Sequence, residues 1–464
     1  AGLGDLLPVS ALPVDGTFPT GTARYEKRNI AQLIPIWDPD ICIECGLCAL
    51  VCPHAAIRTK QFPVQALSDA PRDFLYRHDD KKHAGQALTV QVAPEDCTGC
   101  GVCVDVCPAK SKEVAKHKSI NMRPKAEHLE QEKRRFDVFM KLPEIDRTSV
   151  KTDSVKGSQL LLPLFEYSGA CTGCGETPYL KLMSQLFGDR SVIANATGCS
   201  SIFGGNLPTT PWSKDAAGRG PAWANSLFED NAEFGLGLRL ALDSKLARTR
   251  QLLTQQTDML GQEKVSLLVD SPLADEADYA AQRGRIADLQ PLLSQMDTES
   301  AHELSILLNS LARRSLWIVG GDGWAYDIGF GGLDHALASG RDVNILVLDT
   351  GVYSNTGGQA SKATPRGATA KFASDGREAR RKDLGMMAVA YGNTYVAQVA
   401  IGANPAQCIR AFHEAESYRG PSLILAYSHC IAHGIDMSTS MTHQKDLVKC
   451  GFWPLYRYDP RDAH

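Results

Sequence analysis

The fold is decided by two linked segments, WIVGGDGW at residues 317–324 and NILVLDTGVYSNTGGQ at residues 344–359. Residues 316–319 and 343–348 are short apolar runs with branched side chains, which indicates two buried parallel strands. The segment between them has the length and composition of a crossover helix. This pattern predicts an α/β domain with a doubly wound sheet.

Asp322 is unusual in the glycine turn that ends the first of these strands. Gly320 and Gly321 allow a diphosphate to approach the backbone, but a carboxylate there repels phosphates unless a divalent cation lies between them. Mg²⁺ binds carboxylate, hydroxyl and carbonyl oxygens together with phosphate oxygens, and residues 350–355 supply such oxygens from the neighbouring loop. The two strand ends therefore predict a Mg²⁺-diphosphate site, and they resemble the diphosphate site of thiamine-diphosphate enzymes.

A nicotinamide-binding turn is one alternative for this segment, because it also places an acid, here Asp349, at the end of the next strand. Residues 321–326 lack the third glycine of that fingerprint, and Asp322 would face the pyrophosphate without a metal. A glycine-rich turn that binds nothing is the other alternative. Both stay open on this segment alone.

Composition places the chain among soluble globular proteins. Its 464 residues, 43% hydrophobic and 22% charged, predict two to four domains. A net charge of −4 gives no reason to expect a nucleic acid or an anionic membrane as partner, and no apolar run approaches the ~18 residues of a spanning helix. The first residues contain neither a methionine nor a basic region, so we expect a piece of a longer protein. The 14 cysteines are tightly grouped, which predicts metal thiolates in the reducing cytoplasm.

The most specific motif is C-x₂-C-x₂-C-x₃-C-P, which occurs twice, at residues 42–53 and 97–108. In bacterial two-cluster ferredoxins the fourth cysteine of each run binds the other cluster. The first 4Fe-4S cluster is therefore predicted to bind Cys42, Cys45, Cys48 and Cys107, and the second Cys97, Cys100, Cys103 and Cys52. A zinc site would show paired C-x₂-C units instead. We expect an α+β ferredoxin-like domain at residues 36–120.

A further group of cysteines consists of Cys171 and Cys174, in one C-x₂-C unit, and the single Cys199 and Cys430. A lone C-x₂-C unit also suits a thioredoxin-like dithiol or half of a zinc site. However, Cys199 and Cys430 each follow an apolar run predicted to be a strand, and the carboxyl ends of parallel strands converge on one crevice. Four thiolates there are expected to hold a third cluster beside the diphosphate site.

The rest of the chain is assigned by composition. Residues 1–35 and 121–160 are predicted linkers, and residues 161–464 the diphosphate-binding domain. Helices are expected at residues 127–139 and throughout 225–314, with a charged helix-like stretch at 374–382, and further strands at 395–401 and 421–427. The remaining cysteines, Cys408 and Cys450, are interpreted as core thiols.

In this order the motifs resemble the C-terminal part of the single-chain pyruvate:ferredoxin (flavodoxin) oxidoreductases, and the resemblance covers nearly the whole chain. It extends to residues 25–28, 218–237 and 353–359. The resemblance implies a doubly wound thiamine-diphosphate-binding domain preceded by a bacterial-type two-cluster ferredoxin domain. It implies three 4Fe-4S clusters, thiamine diphosphate and Mg²⁺ as cofactors.

The resemblance also implies residue roles. The cluster nearest the thiamine would bind Cys171, Cys174, Cys199 and Cys430. Mg²⁺ would bind Asp322, Thr350 and the carbonyl of Val352, although most thiamine enzymes have an asparagine where Thr350 stands. Asn355 would lie close to the substrate as the catalytic residue. The cofactor would be lined by Glu176, Cys199, Gly321, Asp322, Gly323, Trp324, Thr350, Gly351, Val352, Tyr353, Ser354 and Asn355.

The implied reaction is the oxidative decarboxylation of pyruvate with coenzyme A, in anaerobic metabolism. The cofactor acts as an electron sink, and electrons leave singly through the clusters to ferredoxin or flavodoxin. A cytoplasmic homodimer is implied. In the family, the glutamate that activates the aminopyrimidine, the pyruvate-binding arginine and the coenzyme A domain lie N-terminal to this stretch. The chain is therefore expected to need the N-terminal remainder of the polypeptide or a partner subunit.

Three alternatives remain at this point. Another 2-oxoacid (2-oxoglutarate, a branched 2-oxoacid or indolepyruvate) would use the same chemistry, although the order of the domains favours pyruvate. A flavin module that reduces NADP⁺ could follow the chain. A ferredoxin fused to an inert domain would only carry electrons, but Asp322, Thr350 and the third group of cysteines argue against it.

Overall fold

The computed structural model describes residues 3–68, 70–78 and 85–462. The first region contains two small antiparallel sheets and short helices. One sheet pairs β1 with β5, and the other has the order β2-β4-β3. Its elements are β1 (Leu33–Trp37), α1 (Leu47–Leu50), β2 (Ile57–Pro63), β3 (Arg77–His78), β4 (Gln86–Val92), α2 (Val102–Val106), β5 (Ile120–Pro124), α3 (Lys125–Lys141) and α4 (Val155–Gln159).

The second region is built on a seven-stranded sheet with helices on both faces. Its first half consists of α5 (Thr177–Phe187), β6 (Ser191–Asn195), α6 (Cys199–Gly204), β7 (Ala222–Asn225), α7 (Asn231–Gln255), α8 (Thr257–Leu260), α9 (Gln262–Val269), α10 (Glu276–Ser294) and α11 (Glu299–Leu307). Its second half consists of β8 (Ser315–Gly321), α12 (Phe330–Ala338), β9 (Asn344–Asp349), β10 (Val352–Tyr353), β11 (Gln359–Ala360), α13 (Leu384–Val389), β12 (Tyr395–Val399), α14 (Pro405–Ser417), β13 (Ser422–Tyr427), α15 (Ser440–Lys449) and β14 (Tyr456–Tyr458).

The order of the large sheet is β14-β12-β13-β9-β8-β6-β7. All neighbours are parallel except β14, which runs antiparallel to β12 at one edge. The chain enters at β6, adds β7 on one side of it and then β8 and β9 on the other side. The winding direction thus reverses at β6, and the predicted doubly wound α/β fold is confirmed. The central strands are completely buried because helices cover both faces, as parallel sheets require.

Aromatic stacking holds one helical layer against the sheet. The indole of Trp317, in the middle of β8, lies between the rings of Phe187 and Phe412, with centroids 5.7 and 5.6 Å away. Phe187 ends α5 and Phe412 lies on α14, so the two helices are fixed to the same strand. Stacked aromatic pairs of this kind add about 0.5–1.5 kcal/mol each to the burial of their area.

The crossover between β8 and β9 begins with a π-helical turn, Gly323–Ile328, and continues in α12, as the sequence predicts. Helices α7 to α11 form a lobe with its own leucine-rich core, which includes Leu253, Leu289 and Leu304. The predicted helical character of residues 225–314 is thus confirmed from Asn231 onward.

Two predicted linkers are packed parts of the fold. Residues 33–35 belong to β1, which pairs with β5, and residues 121–160 contain most of β5 together with α3 and α4. The predicted linker over 121–160 is thus built of packed elements, and α3 (Lys125–Lys141) confirms the helix predicted at residues 127–139. Its few apolar residues, among them Phe136 and Phe139, share one buried face. Residues 3–32 contain only short 3-10 turns.

Two smaller expectations are also wrong. Residues 374–382 form no helix, since Gly376 has a φ of +89° and the side chains of Arg377 and Arg381 donate to carbonyls of residues 362–364. Cys408 is a core thiol, as predicted, but Cys450 is exposed at the end of α15.

Candidate functional site

The carboxyl ends of four parallel strands meet at one crevice. Because these strands are parallel, β6, β8, β9 and β13 all end on the same side of the sheet. The turns that follow them carry Cys199, Asp322, Thr350 and Cys430. A cavity of about 180 Å³ lies in this crevice. It is lined by Glu176, Thr197, Gly198, Cys199, Ser200, Phe228, Gly321, Asp322, Gly323, Trp324, Thr350, Val352, Tyr353, Ser354, Asn355 and Thr356. All the predicted cofactor-contacting residues except Gly351 are among them.

Asp322 is buried at the base of this cavity. Its Oδ1 accepts hydrogen bonds from the backbone N–H of Thr350 (3.2 Å), and its Oδ2 accepts one from the hydroxyl of Ser361 (2.5 Å). The Thr350 hydroxyl oxygen lies 3.0 Å from Asp322 Oδ1 and 2.9 Å from the carbonyl oxygen of Val352. The single hydroxyl hydrogen of Thr350 can donate to only one of these two acceptors at a time. The three oxygens therefore lie close together without a hydrogen bond between every pair.

The charge of Asp322 is not balanced by the protein. Burial, and then the neighbouring Asp349 carboxylate, raise the pKa of Asp322 to about 7. Asp349 itself pairs with Arg381, whose guanidinium also lies 4.9 Å from the ring centre of Trp453. Asp322 forms no ion pair with any residue that the structure describes. A cation from outside the chain would stabilise the ionised form of Asp322 in this position.

Glu176 is a second uncompensated acid at the cavity. It is only 5% exposed, and burial followed by the Asp322 charge raises the pKa of Glu176 to about 8. Its Oε2 has no hydrogen-bond partner among the described residues. Buried polar atoms are usually satisfied, so this carboxyl group is available to a hydrogen-bond donor of a ligand.

These residues fit a divalent cation with a bound diphosphate. A carboxylate, a hydroxyl and a backbone carbonyl are oxygen ligands of the kind that Mg²⁺ binds, and Asp322, Thr350 and Val352 bring one of each together. Space for phosphates lies beside them, since a Cβ on Gly321 would meet only the carbonyl oxygen of Leu348, at 3.9 Å.

The loop after β9 closes one side of the cavity. The Tyr353 hydroxyl donates to the carbonyl of Gly323 (3.2 Å), and a Cβ on Gly323 would lie 2.4 Å from the Tyr353 ring. Only glycine therefore fits at residue 323. The hydroxyl of Ser354 lies 3.3 Å from Sγ of Cys199, and Asn355 is exposed at the rim.

The third group of thiols lies beside this cavity. Burial, then the charge of Glu176, and further the thiols Cys174 and Cys430, raise the pKa of Cys199. Burial, Glu176 and Cys171 raise the pKa of Cys430 to about 11. The structure thus brings together four cysteines from three separate parts of the chain, next to an acid that lines the cavity.

The loop of Cys171 and Cys174 is held in place by the segment after β13. His429, which is buried, contacts the carbonyl oxygen of Gly173 through Nε2 at 2.8 Å. A Cβ on Gly175 would lie 2.4 Å from the carbonyl oxygen of His429. The close approach explains the glycine next to Cys174 and fixes the loop relative to Cys430.

The ferredoxin-type cysteines form two adjacent groups. Burial, and then Cys42, Cys45 and Cys107, raise the pKa of Cys48. The fourth cysteine of the second run therefore lies with the first three of the first run. This is the crossed arrangement of bacterial two-cluster ferredoxins.

The other group mirrors the first. Burial, and then Cys100, Cys97 and Cys52, raise the pKa of Cys103, with a further contribution from Cys48 of the first group. In the described part of the chain no three His, Cys, Asp or Glu side chains are close enough to bind a single metal ion. A 4Fe-4S cluster does not need three ligands around one metal ion, because each of its four iron atoms binds a single thiolate.

The ferredoxin-like region and the cavity are directly connected. A Cβ placed on Gly173 would lie 3.6 Å from Cβ of Cys100, so the loop of the third thiol group contacts the second ferredoxin-type group. Leu50, Val51 and Val102, from α1 and α2, pack into the core of the second region. The three thiol groups therefore lie in series within one packed body.

Several residues at the site carry no recognisable sequence motif. Ser361 donates to Asp322, His433 contacts the carbonyl oxygen of Thr350 through Nε2 (2.7 Å), and Thr364 donates to that of Gly351 (2.5 Å). Phe228 lines the cavity and contacts the Tyr353 ring edge-on. The sequence around Phe228 is rich in turn-forming and aromatic residues. This is the one sequence feature that indicates a position near the crevice.

Comparisons with known protein families agree with this arrangement. The model of the 4Fe-4S dicluster domain matches residues 41–111, and the C-terminal TPP binding domain of thiamine pyrophosphate enzymes matches residues 290–426. A domain of unknown function matches residues 1–31. The chain thus contains an iron–sulfur domain and a thiamine-diphosphate-binding domain.

Similarity to individual proteins identifies the family more precisely. The pyruvate-flavodoxin oxidoreductase of Trichormus variabilis is 58% identical over 98% of this chain. The chain is a homologue of part of the pyruvate-flavodoxin oxidoreductases. The enzyme of the same name from Nostoc sp. is 57% identical over 98% of the chain, and the pyruvate:ferredoxin oxidoreductase of Moorella thermoacetica 50% identical over 99%. The chain spans 39% of the length of each of these relatives.

A 2-oxoglutarate:ferredoxin oxidoreductase from Magnetococcus marinus is a more distant match among solved structures. It is 16% identical, and the alignment covers 65% of this chain and 74% of that one, with a TM-score of 0.37. This similarity is too low to establish a shared fold.

Proposed function

We propose that this chain, together with the remainder of a longer protein, oxidatively decarboxylates pyruvate with coenzyme A to acetyl-CoA and carbon dioxide. Electrons would pass through three 4Fe-4S clusters to ferredoxin or flavodoxin. One observation carries the proposal: in a homologue of pyruvate-flavodoxin oxidoreductases, the cavity that contains the uncompensated Asp322 also adjoins the third group of thiols.

Asp322, Thr350 and the carbonyl of Val352 are the proposed Mg²⁺ ligands. The cation would balance the Asp322 carboxylate and hold the diphosphate, so that two negative groups occupy one buried turn. Thiamine diphosphate, when bound, supplies the electron sink for decarboxylation. Glu176 would orient it through the unpartnered Oε2, and Asn355 at the rim would contact the substrate.

The cysteines would hold the three clusters in the sets predicted from the sequence. Cys171, Cys174, Cys199 and Cys430 would hold the cluster nearest the thiamine. In agreement with this position, Ser354 at the cavity contacts Cys199, and the charge of Glu176 raises the pKa of Cys199. The ferredoxin-type sets would be Cys42, Cys45, Cys48 and Cys107, and Cys97, Cys100, Cys103 and Cys52. The contact of Gly173 with Cys100 supports the second of these as the neighbour of the third cluster.

A cytoplasmic homodimer is part of the proposal. None of the 14 cysteines forms a disulfide, and their proposed use as metal thiolates supports a reducing compartment. No helix in the described segments is both long and apolar enough to cross a membrane. The homodimer rests on the family resemblance.

The proposal is tested by comparing the 464-residue chain with the complete polypeptide, both purified anaerobically. We expect the chain alone to hold its clusters and accept electrons from a strong reductant, but not to release carbon dioxide from pyruvate. Thiamine diphosphate, when bound, would need a carboxylate beside its aminopyrimidine. Of the two acids that line the cavity, Asp322 is the proposed Mg²⁺ ligand and Glu176 adjoins the thiols. Turnover with coenzyme A should return when the remainder is supplied in cis or in trans. Carbon dioxide release by the chain alone, at an enzymatic rate, would contradict this division of labour.

Ser361→Ala should weaken the Mg²⁺-dependent binding of thiamine diphosphate about tenfold to a hundredfold. The Ser361 hydroxyl donates to Asp322 Oδ2, and loss of a hydrogen bond that orients a metal ligand typically costs this much affinity. Titration calorimetry at saturating Mg²⁺ would measure the effect. Ser339→Ala is the matched control, because the Ser339 hydroxyl caps α12 away from the cavity. Equal affinities of the two variants would show that Ser361 does not orient Asp322.

A further inference from the structure

A second cavity lies at the amino ends of the strands of the large sheet. The candidate site occupies the carboxyl ends of the strands, whereas this cavity of about 220 Å³ adjoins their amino ends. Arg313 and Arg314 immediately precede β8, Asp342 lies just before β9, and Arg419 just before β13. Helix α7 and the segment after α9 close the cavity from the helical lobe.

The lining of this cavity is strongly basic. Its charged residues are five arginines and two aspartates: Arg239, Arg250, Arg313, Arg314, Arg419, Asp243 and Asp342. Like charges that converge on a confined space repel one another, and low dielectric walls increase the potential. The lining therefore has an excess of positive charge.

The two aspartates compensate only part of this charge. Asp243 pairs with Arg239 (2.6 Å), while Asp342 is shared between Arg313 (2.9 Å) and Arg419 (3.5 Å). Glu416, which does not line the cavity, lies 3.6 Å from Arg313 as an additional partner. Three arginines are thus accounted for by three acids.

The other two arginines form no ion pair among the described residues. Arg250 makes one long contact, 3.4 Å to the carbonyl oxygen of Val269, and Arg314 has no salt-bridge partner within the described ranges. Burial, and then the charge of Arg283, lower the pKa of Arg314, and the Asp189 carboxylate offsets only part of that shift. Their guanidinium groups are free to bind a ligand.

Unused donors also remain on the paired arginines. Nε of Arg239 and Nε of Arg313 are buried and lack a hydrogen-bond partner among the described residues. The Arg239 side chain is only 7% exposed, so water reaches it poorly. A buried donor without an acceptor destabilises the folded protein, and a bound anion would supply the missing acceptor.

We propose that this cavity binds a compact oxyanion with two or more negative charges, of the phosphate or polycarboxylate type. Guanidinium groups match such oxygens with paired hydrogen bonds, which lysine cannot provide. The cavity volume of about 220 Å³ is enough for several water molecules and therefore for a small anion. None of its residues lines the candidate thiamine site, so the inference is independent of the proposed function.

The test is calorimetric titration of the anaerobically purified protein with inorganic phosphate and, separately, with citrate. Saturating Mg²⁺ and thiamine diphosphate are present, so that the diphosphate site is not available. We expect one of the two anions to bind, and Arg250→Gln combined with Arg314→Gln to weaken it at least about tenfold. These two arginines hold no acid in place, so their loss leaves no unpaired carboxylate. Which anion binds more tightly distinguishes phosphate from carboxylate ligands.

Arg134→Gln is the matched control, because Arg134 is exposed on α3 in the ferredoxin-like region, and it should bind the anion as the unmodified protein does. Thermal unfolding shows whether the double variant is folded. If it is not, Arg314→Lys replaces it, since a lysine keeps the charge but loses the paired donors, and it should still weaken binding. Absence of binding by either anion, or equal binding by the double variant and the Arg134→Gln control, would overturn the proposal.

Discussion

Asp322→Ala is expected to reduce the Mg²⁺-dependent affinity for thiamine diphosphate by at least about a hundredfold, while both ferredoxin-type clusters remain. The substitution removes the only carboxylate among the three proposed cation ligands. Without the cation, the diphosphate would face Glu176 and the carbonyl of Val352 with no positive charge to offset it. The backbone N–H of Thr350 would also lose its acceptor.

Equilibrium binding of thiamine diphosphate, with and without Mg²⁺, measures this effect. Iron content and the visible spectrum show whether the clusters remain. Asp334→Ala is a suitable control, because Asp334 is exposed on α12 and only accepts a hydrogen bond from Tyr391. Unchanged affinity in Asp322→Ala would favour a nicotinamide-binding or empty turn at residues 320–324.

Cys430→Ser is expected to remove the third cluster and to abolish electron transfer out of the cavity. Three cubanes contain about twelve irons per chain, so the variant should contain about eight. Cys430 lies next to Cys171 and Glu176, far from the ferredoxin-type thiols in the sequence, and the two remaining clusters should keep their electron paramagnetic resonance signals on reduction. Turnover of the complete protein should fall to background.

Cys450→Ser provides the matched control for this variant. Cys450 is also a single cysteine near the end of the chain, but it is exposed and its Sγ contacts only the carbonyl oxygen of Leu447. It should keep about twelve irons. If Cys430→Ser also keeps about twelve irons, or if the unmodified protein contains only about eight, the third cluster is not present in the proposed form.

The local motifs could be predicted because their geometry is contained in a few consecutive residues. Three cysteines spaced by two residues reach one face of a cubane from a single loop, whatever surrounds it. The apolar runs at residues 316–319 and 343–348 likewise form strands, which end at Gly321 and Asp349. By contrast, the sequence predicted the helix at residues 127–139 but not that it packs into the fold, because the packing of α3 depends on one face of the helix and not on its average polarity.

The sequence by itself determined the two ferredoxin-type cysteine runs, the strand ends that carry Asp322 and Thr350, and the class of the fold. The rule that the carboxyl ends of parallel strands converge also predicted that Cys199 and Cys430 meet Asp322 at one crevice. Only the tertiary structure decided the strand order and which residues without a motif join the site. The strand order β13-β9-β8-β6 brings Cys430, Asp322 and Cys199 to one crevice and places Ser361 against Asp322. The same order brings the arginines that precede the strands together at the amino ends of the sheet. Strand order follows from how helices cover both faces of the sheet, and that is a property of the whole packed chain.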